Sequence, residues 1–199
     1  MSWSLGETAA LALKATRGAG MSWGLAEETA AAVVWLHRHG LPGMSALCSY
    51  LGSGDSPQNA GPACPIVTGC ALMDGIVEVP ETPLESVDIG QVLAPLLLLP
   101  FVARLAPGTI WLIAPGLGEQ AGPQGGDSWQ SHCLRGVGDC RIVLRDTPQV
   151  DPSLERISRL GDDFACCVDR LNALALRTYA PATGQSRMSG AGAGLTDND

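Results

Sequence analysis

Apolar positions recur at helical spacing from the start of the chain. Ser4 and Glu7 form an S-x-x-E pair, in which each side chain satisfies a backbone N–H left open in the first turn. The Ala- and Leu-rich sequence after them predicts a helix to Arg17, ended by Gly18. A second helix begins near Ser22 and lines up Leu25, Thr29, Ala32, Val33 and Leu36 on one face. His39, Gly40, Leu41 and Pro42 mark its stop, and His37 and His39 read as its cap and surface residues. A short third helix over Met44–Leu51 closes with Gly52, and a loop rich in Gly, Ser and Pro follows.

The pattern then changes. Pro65–Met73 and Ile76–Val79 are short β-compatible runs around Asp74-Gly75, a pair that predicts a hairpin turn. Leu96–Ala103 and Ile110–Ala114 are apolar on both faces and flank Pro107-Gly108, as buried neighbouring strands do. Periodicity alone does not separate strand from buried helix in the run Val92–Ala103. His132–Gly136 and Arg141–Arg145 read as a later strand pair joined by Val137-Gly138-Asp139. Asp151-Pro152 is an N-cap followed by proline at the first helical position. From there Leu154, Ile157, Leu160, Phe164, Val168, Leu171 and Leu174 form one stripe, with Glu155–Arg159 and Arg159–Asp163 paired on the opposite face. That helix is expected to lie on the sheet. The class is α+β: N-terminal helices and a long C-terminal helix packed on a mostly antiparallel sheet. Residues 1–187 read as one domain, and 188–199 as a Gly/Ala-rich acidic tail.

Composition supports a packed core. Hydrophobic residues make up 46% of the 199 and charged residues 16%, which suits one compact domain rather than a disordered chain. The net charge of −8 argues against a nucleic-acid or anionic-membrane surface. The excess is local. No Lys or Arg stands between His39 and Arg104, whereas Asp55, Asp74, Glu78, Glu81, Glu85 and Asp88 all do. That stretch is either a solvating face or a docking face for a basic partner. Met1–Leu13 does not read as an export signal, and the most apolar window, Val92–Ala103, is shorter than the ~20 residues of a spanning helix. A cytoplasmic protein with seven reduced cysteines is therefore expected, with no metal and no cofactor, because no cysteine spacing fits a zinc site.

Three segments are candidates for function. Arg17, Gly18 and Gly20 make a glycine turn feeding a helix N-terminus, a geometry that can hold an anion or simply turn the chain. The Gly-rich loop from Pro115 leads to Asp127, Ser128, Trp129 and His132. There His132 is a candidate general base oriented by Asp127, with Ser128 and Trp129 as ligand contacts. At the end, a Gly-Ala-Gly-Ala-Gly run is small enough to pack along a groove, and Asp197 and Asp199 are candidates to meet arginines of this chain or of a second subunit. Lys14 is the sole lysine and sits in a helix of ordinary pattern.

The stretch Arg17-Gly-Ala-Gly-Met-Ser-Trp-Gly-Leu-Ala-Glu-Glu28, the segment Thr178-Tyr-Ala-Pro-Ala-Thr and the ending Gly-Ala-Gly-Ala-Gly-Leu-Thr-Asp-Asn-Asp199 resemble an uncharacterised proteobacterial domain-of-unknown-function family. The resemblance implies a soluble bacterial protein and carries no activity with it. Two function classes stay open. One is an accessory or small-molecule-binding protein of a metabolic pathway, with a homo-oligomer or a metabolic enzyme as partner. The other is a metal-independent hydrolase, lyase or isomerase acting on a small carboxylated metabolite.

Overall fold

The computed structural model describes residues 3–52, 64–82, 85–105, 110–114, 137–144, 159–160 and 165–179. A short strand β1 (Trp3–Ser4) leads into α1 (Leu5–Gly18), followed by α2 (Trp23–Arg38), α3 (Gly43–Leu51) and α4 (Pro65–Met73). Next come β2 (Ser86–Leu93), a 3-10 turn over Pro95–Leu98 and α5 (Leu99–Leu105). Strands β3 (Ile110–Ile113), β4 (Val137–Leu144) and β5 (Arg159–Leu160) precede α6 (Ala165–Leu176). The class is α+β. One sheet is antiparallel in the order β2-β4-β3, and a two-stranded ribbon pairs β1 with β5.

The first three helices form as their sequence dictates. The Ser4 hydroxyl accepts from the Glu7 N–H while the Glu7 carboxylate accepts from the Ser4 N–H, closing two of the open donors at the start of α1. Ser22 caps α2 from one side only, its hydroxyl accepting from the Leu25 N–H. Both helices end on a glycine at positive φ, Gly20 at +100° and Gly40 at +71°, a conformation that costs glycine little. The next residue then sends its N–H back to a carbonyl in the last turn: Met21 to Thr16 and Leu41 to Leu36. Met21 and Leu41 are both buried by that reversal.

Five expectations are corrected. Pro65–Met73 is a helix, not a strand. Cys64 is its N-cap and Pro65 supplies a preset φ at its first position, while Ile66, Gly69 and Leu72 turn to the core at helical spacing. Asp74-Gly75 is accordingly a helix end rather than a hairpin turn, with Gly75 at φ +69° and the Ile76 N–H returning to Ala71. Leu96–Ala103 is also helical, as the 3-10 turn and α5. It is buried against α4, where the Phe101 ring would lie 2.4 Å from a Cβ placed on Gly69. Val137-Gly138-Asp139 is not a turn but the start of β4, which pairs with Val92, Leu93 and Gln91 of β2.

The fifth correction concerns the C-terminal helix. Arg159 and Leu160 pair as β5 with Ser4 and Trp3, so the described helix begins at Ala165; Glu155 and Asp163 lie outside the described residues. It packs on α1 rather than on the sheet, through Leu171, Ala175 and the Gly18–Leu174 contact. Strand β2 had no counterpart in the sequence reading. Its apolar alternation is broken by a bulge between Asp88 and Gly90, with Gly90 at φ +80°.

Candidate functional site

Two helices cross at the ends of the described chain and leave a groove between them. They come close because Gly18 has no side chain: a Cβ there would stand 1.8 Å from the Leu174 carbonyl oxygen. Glu7, Ala10, Leu11 and Lys14 recur along one face of α1, and Asn172, Ala175, Leu176 and Tyr179 recur on and just after α6. With Trp3 of β1 these eight side chains line a groove of about 490 Å³, a size that suits a small organic ligand.

The floor is apolar and the ends are polar. Lys14 Nζ donates to the Tyr179 hydroxyl at 2.7 Å and lies 5.1 Å from the centre of its ring. The phenol that accepts from the ammonium keeps its own O–H to donate, so the pair presents a cation and a polarised donor side by side. At the other end the Glu7 carboxylate is bound to the backbone and hydroxyl of Ser4, each at 2.8 Å. This arrangement fits an anionic head at Lys14–Tyr179 with an apolar body over Ala10, Leu11 and Ala175.

The residues singled out from the sequence take different places. Arg17 donates to the Met21 carbonyl and stacks its guanidinium 4.7 Å over the Trp23 ring, so it ties the α1–α2 corner together. Gly18 is the helix-crossing point and Gly20 the left-handed residue of the turn. Arg17, Gly18 and Gly20 are thus brought together, while Asp127, Ser128, Trp129, His132, Asp197 and Asp199 lie outside the described residues. His37 is buried rather than superficial, its Nε2 accepting from the Met44 N–H at 3.1 Å. His39 stacks on Trp35 with ring centres 3.7 Å apart.

Sequence reasoning missed Tyr179, and it saw Lys14 without seeing its partner. The α1 face was readable at 7, 10, 11 and 14. The crossing with α6 was not, because it depends on a glycine meeting a carbonyl far along the chain.

The cysteines add a second polar feature inside the core. Cys64 is buried with its sulfur 2.9 Å from the Tyr50 hydroxyl, and burial together with that thiol pushes the Tyr50 phenol well above its ordinary range. Burial also pushes the Cys70 thiol up to about 11, with Glu28 and Asp74 adding to the shift and Arg104 opposing it. Arg104 itself pairs with Glu28 at 3.0 Å on the surface. Among the described residues no group of three His, Cys, Asp or Glu is arranged to hold a metal ion, and no helix is long and apolar enough to cross a membrane.

No curated protein and no solved structure matches the chain. One family model does, over residues 3–72, and its description is protein of unknown function (DUF3726). The matched span runs from β1 almost to the end of α4; it contains the whole Arg17–Glu28 segment and the α1 wall of the groove, and it leaves α6 and Tyr179 outside. The resemblance to a domain-of-unknown-function family is borne out over residues 3–72.

Proposed function

We propose that the chain is a small-molecule-binding protein of metabolism whose ligand is a small organic anion held in the α1–α6 groove. The observation that carries this reading is the Lys14–Tyr179 pair, which sets the sole lysine of the chain and a phenol 2.7 Å apart on the lining of a partly apolar groove. A carboxylate or phosphate accepts charge-assisted hydrogen bonds from the ammonium and a further one from the phenol. Asn172 offers both a donor and an acceptor on the opposite wall, and the Ala10–Leu11–Ala175 floor accepts a short aliphatic or aromatic body. Arg17 lies one turn beyond Lys14 on α1 and adds positive potential to the same helix. An accessory role beside a metabolic enzyme fits the same chemistry, with the bound anion as the signal or cargo.

The test is native mass spectrometry of the full chain purified without denaturation, followed by calorimetric titration with benzoate and citrate as probes. A retained or added mass that disappears in both Lys14→Met and Tyr179→Phe supports the groove as the ligand site. Equal retention in wild type and both variants overturns it.

A further inference from the structure

A second groove lies on a different part of the molecule and has the opposite charge. The chain leaves α4 through Gly75, bends at Ile76 and Val77, passes Val79 to Glu81 outside any helix or strand, and then returns at Glu85 to start β2. Between the outgoing stretch and the beginning of β2 is a groove of about 610 Å³, with Val77, Val79 and Val87 giving it apolar surface and Glu78, Glu81 and Glu85 giving it carboxylates. No Lys or Arg stands within the 40–103 stretch that builds it.

Both walls offer backbone to an incoming chain. In the sheet order β2-β4-β3, β2 is an edge, paired with β4 on one side only among the described residues. Across the groove, Glu78 and Val79 form no backbone–backbone hydrogen bond among the described residues. Open edges of this kind take an added extended segment through main-chain hydrogen bonds, with alternate side chains deciding which segment fits.

The α4 helix end carries a further sign of an uncovered surface. The glycine caps of α1, α2 and α4 are built alike, and in each the residue after the glycine is large and apolar. Met21 is 1% exposed and Leu41 2%, but Ile76 is 76% exposed. Met73, on the last turn of the same helix, is 41% exposed. The segment thus joins exposed apolar side chains, a strand edge without a partner among the described residues, and a set of carboxylates.

We infer that this groove docks an extended, basic segment of another protein, which lies along β2 with its arginines or lysines against Glu78, Glu81 and Glu85 and its apolar side chains over Val77, Val79 and Ile76. Charge complementarity selects the occupant. A second copy of this strongly acidic chain would bring like charge to a carboxylate-lined groove. Glu85 is fixed for this role, since its carboxylate accepts from the backbone N–H groups of Glu81 and Thr82 at 3.2 Å.

The probe is a short fluorescent peptide of alternating Arg and Val, titrated with the full chain and read by anisotropy. Two comparison peptides are a Glu–Val peptide of the same length and an Arg–Val peptide N-methylated on alternate residues. Binding of the Arg–Val peptide that falls with salt, and that weakens about tenfold in Glu78→Lys/Glu81→Lys and in Ile76→Asp, is the expected result. N-methylation should weaken it comparably, because it removes the main-chain donors. The same number of charge reversals at Glu27 and Asp169, exposed on α2 and α6, should have a much smaller effect. The inference is overturned if the Glu–Val peptide binds equally, if N-methylation has no effect, or if the remote reversals weaken binding as much as the local ones. It is overturned as well if sedimentation shows a dimer of this chain that Ile76→Asp abolishes. Unchanged circular dichroism in every variant confirms that each folds.

Discussion

The groove between α1 and α6 and the groove beside β2 are of similar volume and opposite construction. The first has rigid walls, two helices locked at a point where glycine meets a carbonyl, and it concentrates its polarity in one cation–phenol pair. The second has walls of irregular chain and strand edge, and it spreads its charge over three carboxylates. Helical walls fix side chains within a small volume, which suits a compact ligand with one charged head. A strand edge offers main chain along a line, which suits a linear partner. The two surfaces differ because different backbone geometries built them.

The contrast can be broken most directly at Gly18. Gly18→Ala forces a Cβ into the Leu174 carbonyl, so α1 and α6 must separate, at a cost of about 3 kcal/mol or more. Chemical denaturation should show that loss, and anion retention should go with it, while the Arg–Val peptide still binds the folded fraction.

The next effect in size belongs to the α4–α5 contact. Gly69→Ala places its methyl 2.4 Å from the Phe101 ring, which lies within the buried α4–α5 contact and cannot swing into solvent. The expected destabilisation is about 2 kcal/mol, and Phe101→Leu in the same chain should recover part of it.

Lys14→Met separates chemistry from packing. Lys14 is exposed and its hydrogen bond to Tyr179 lies at the surface, so stability should move by less than about 0.5 kcal/mol. Affinity for a carboxylate probe in titration calorimetry should nevertheless fall about tenfold.

The smallest effect is a pH dependence at the second groove. Hydrogen bonds from Thr82, through its side chain and its backbone, and from the Glu81 backbone hold the Glu85 carboxyl below its ordinary range. A folded-state pKa below the unfolded one means that its contribution is complete above the ordinary carboxylate range. It is then lost as pH falls through the lowered value. Stability measured from neutral to acid pH should therefore decline slightly more steeply in wild type than in Glu85→Gln, below about pH 4.

How much of this was legible in the sequence follows from the range of the forces involved. Helices α1 to α3 were readable because their signals are local: Ser4 with Glu7, Ser22, and the glycines at 20 and 40 all act within a few residues. Helix α4 was misread because Asp74-Gly75 serves equally as a hairpin turn and as a helix end, and only burial of Ile66, Gly69 and Leu72 decides between them. Strand β2 escaped notice because the bulge at Gly90 shifts its alternation by one position. Leu160 fitted the helical stripe of the C-terminal segment but is committed to pairing with Trp3, a partner that no local pattern announces. The same holds for the first groove: Lys14 was conspicuous as the sole lysine, and Tyr179 was visible only as part of a motif, since 165 positions separate them.

That separation also sets the order in which the chain can acquire its structure. The inner face of α1, with Leu11, Ala12 and Ala15, is covered in part by α6. A ribosome releases α1 long before α6, so this face waits exposed through most of synthesis, and closing a loop of about 150 residues precedes any reward from the contact. Folding of the helical layer is therefore completed only after translation has passed α6, and a nascent chain arrested before that point should present an apolar strip to chaperones.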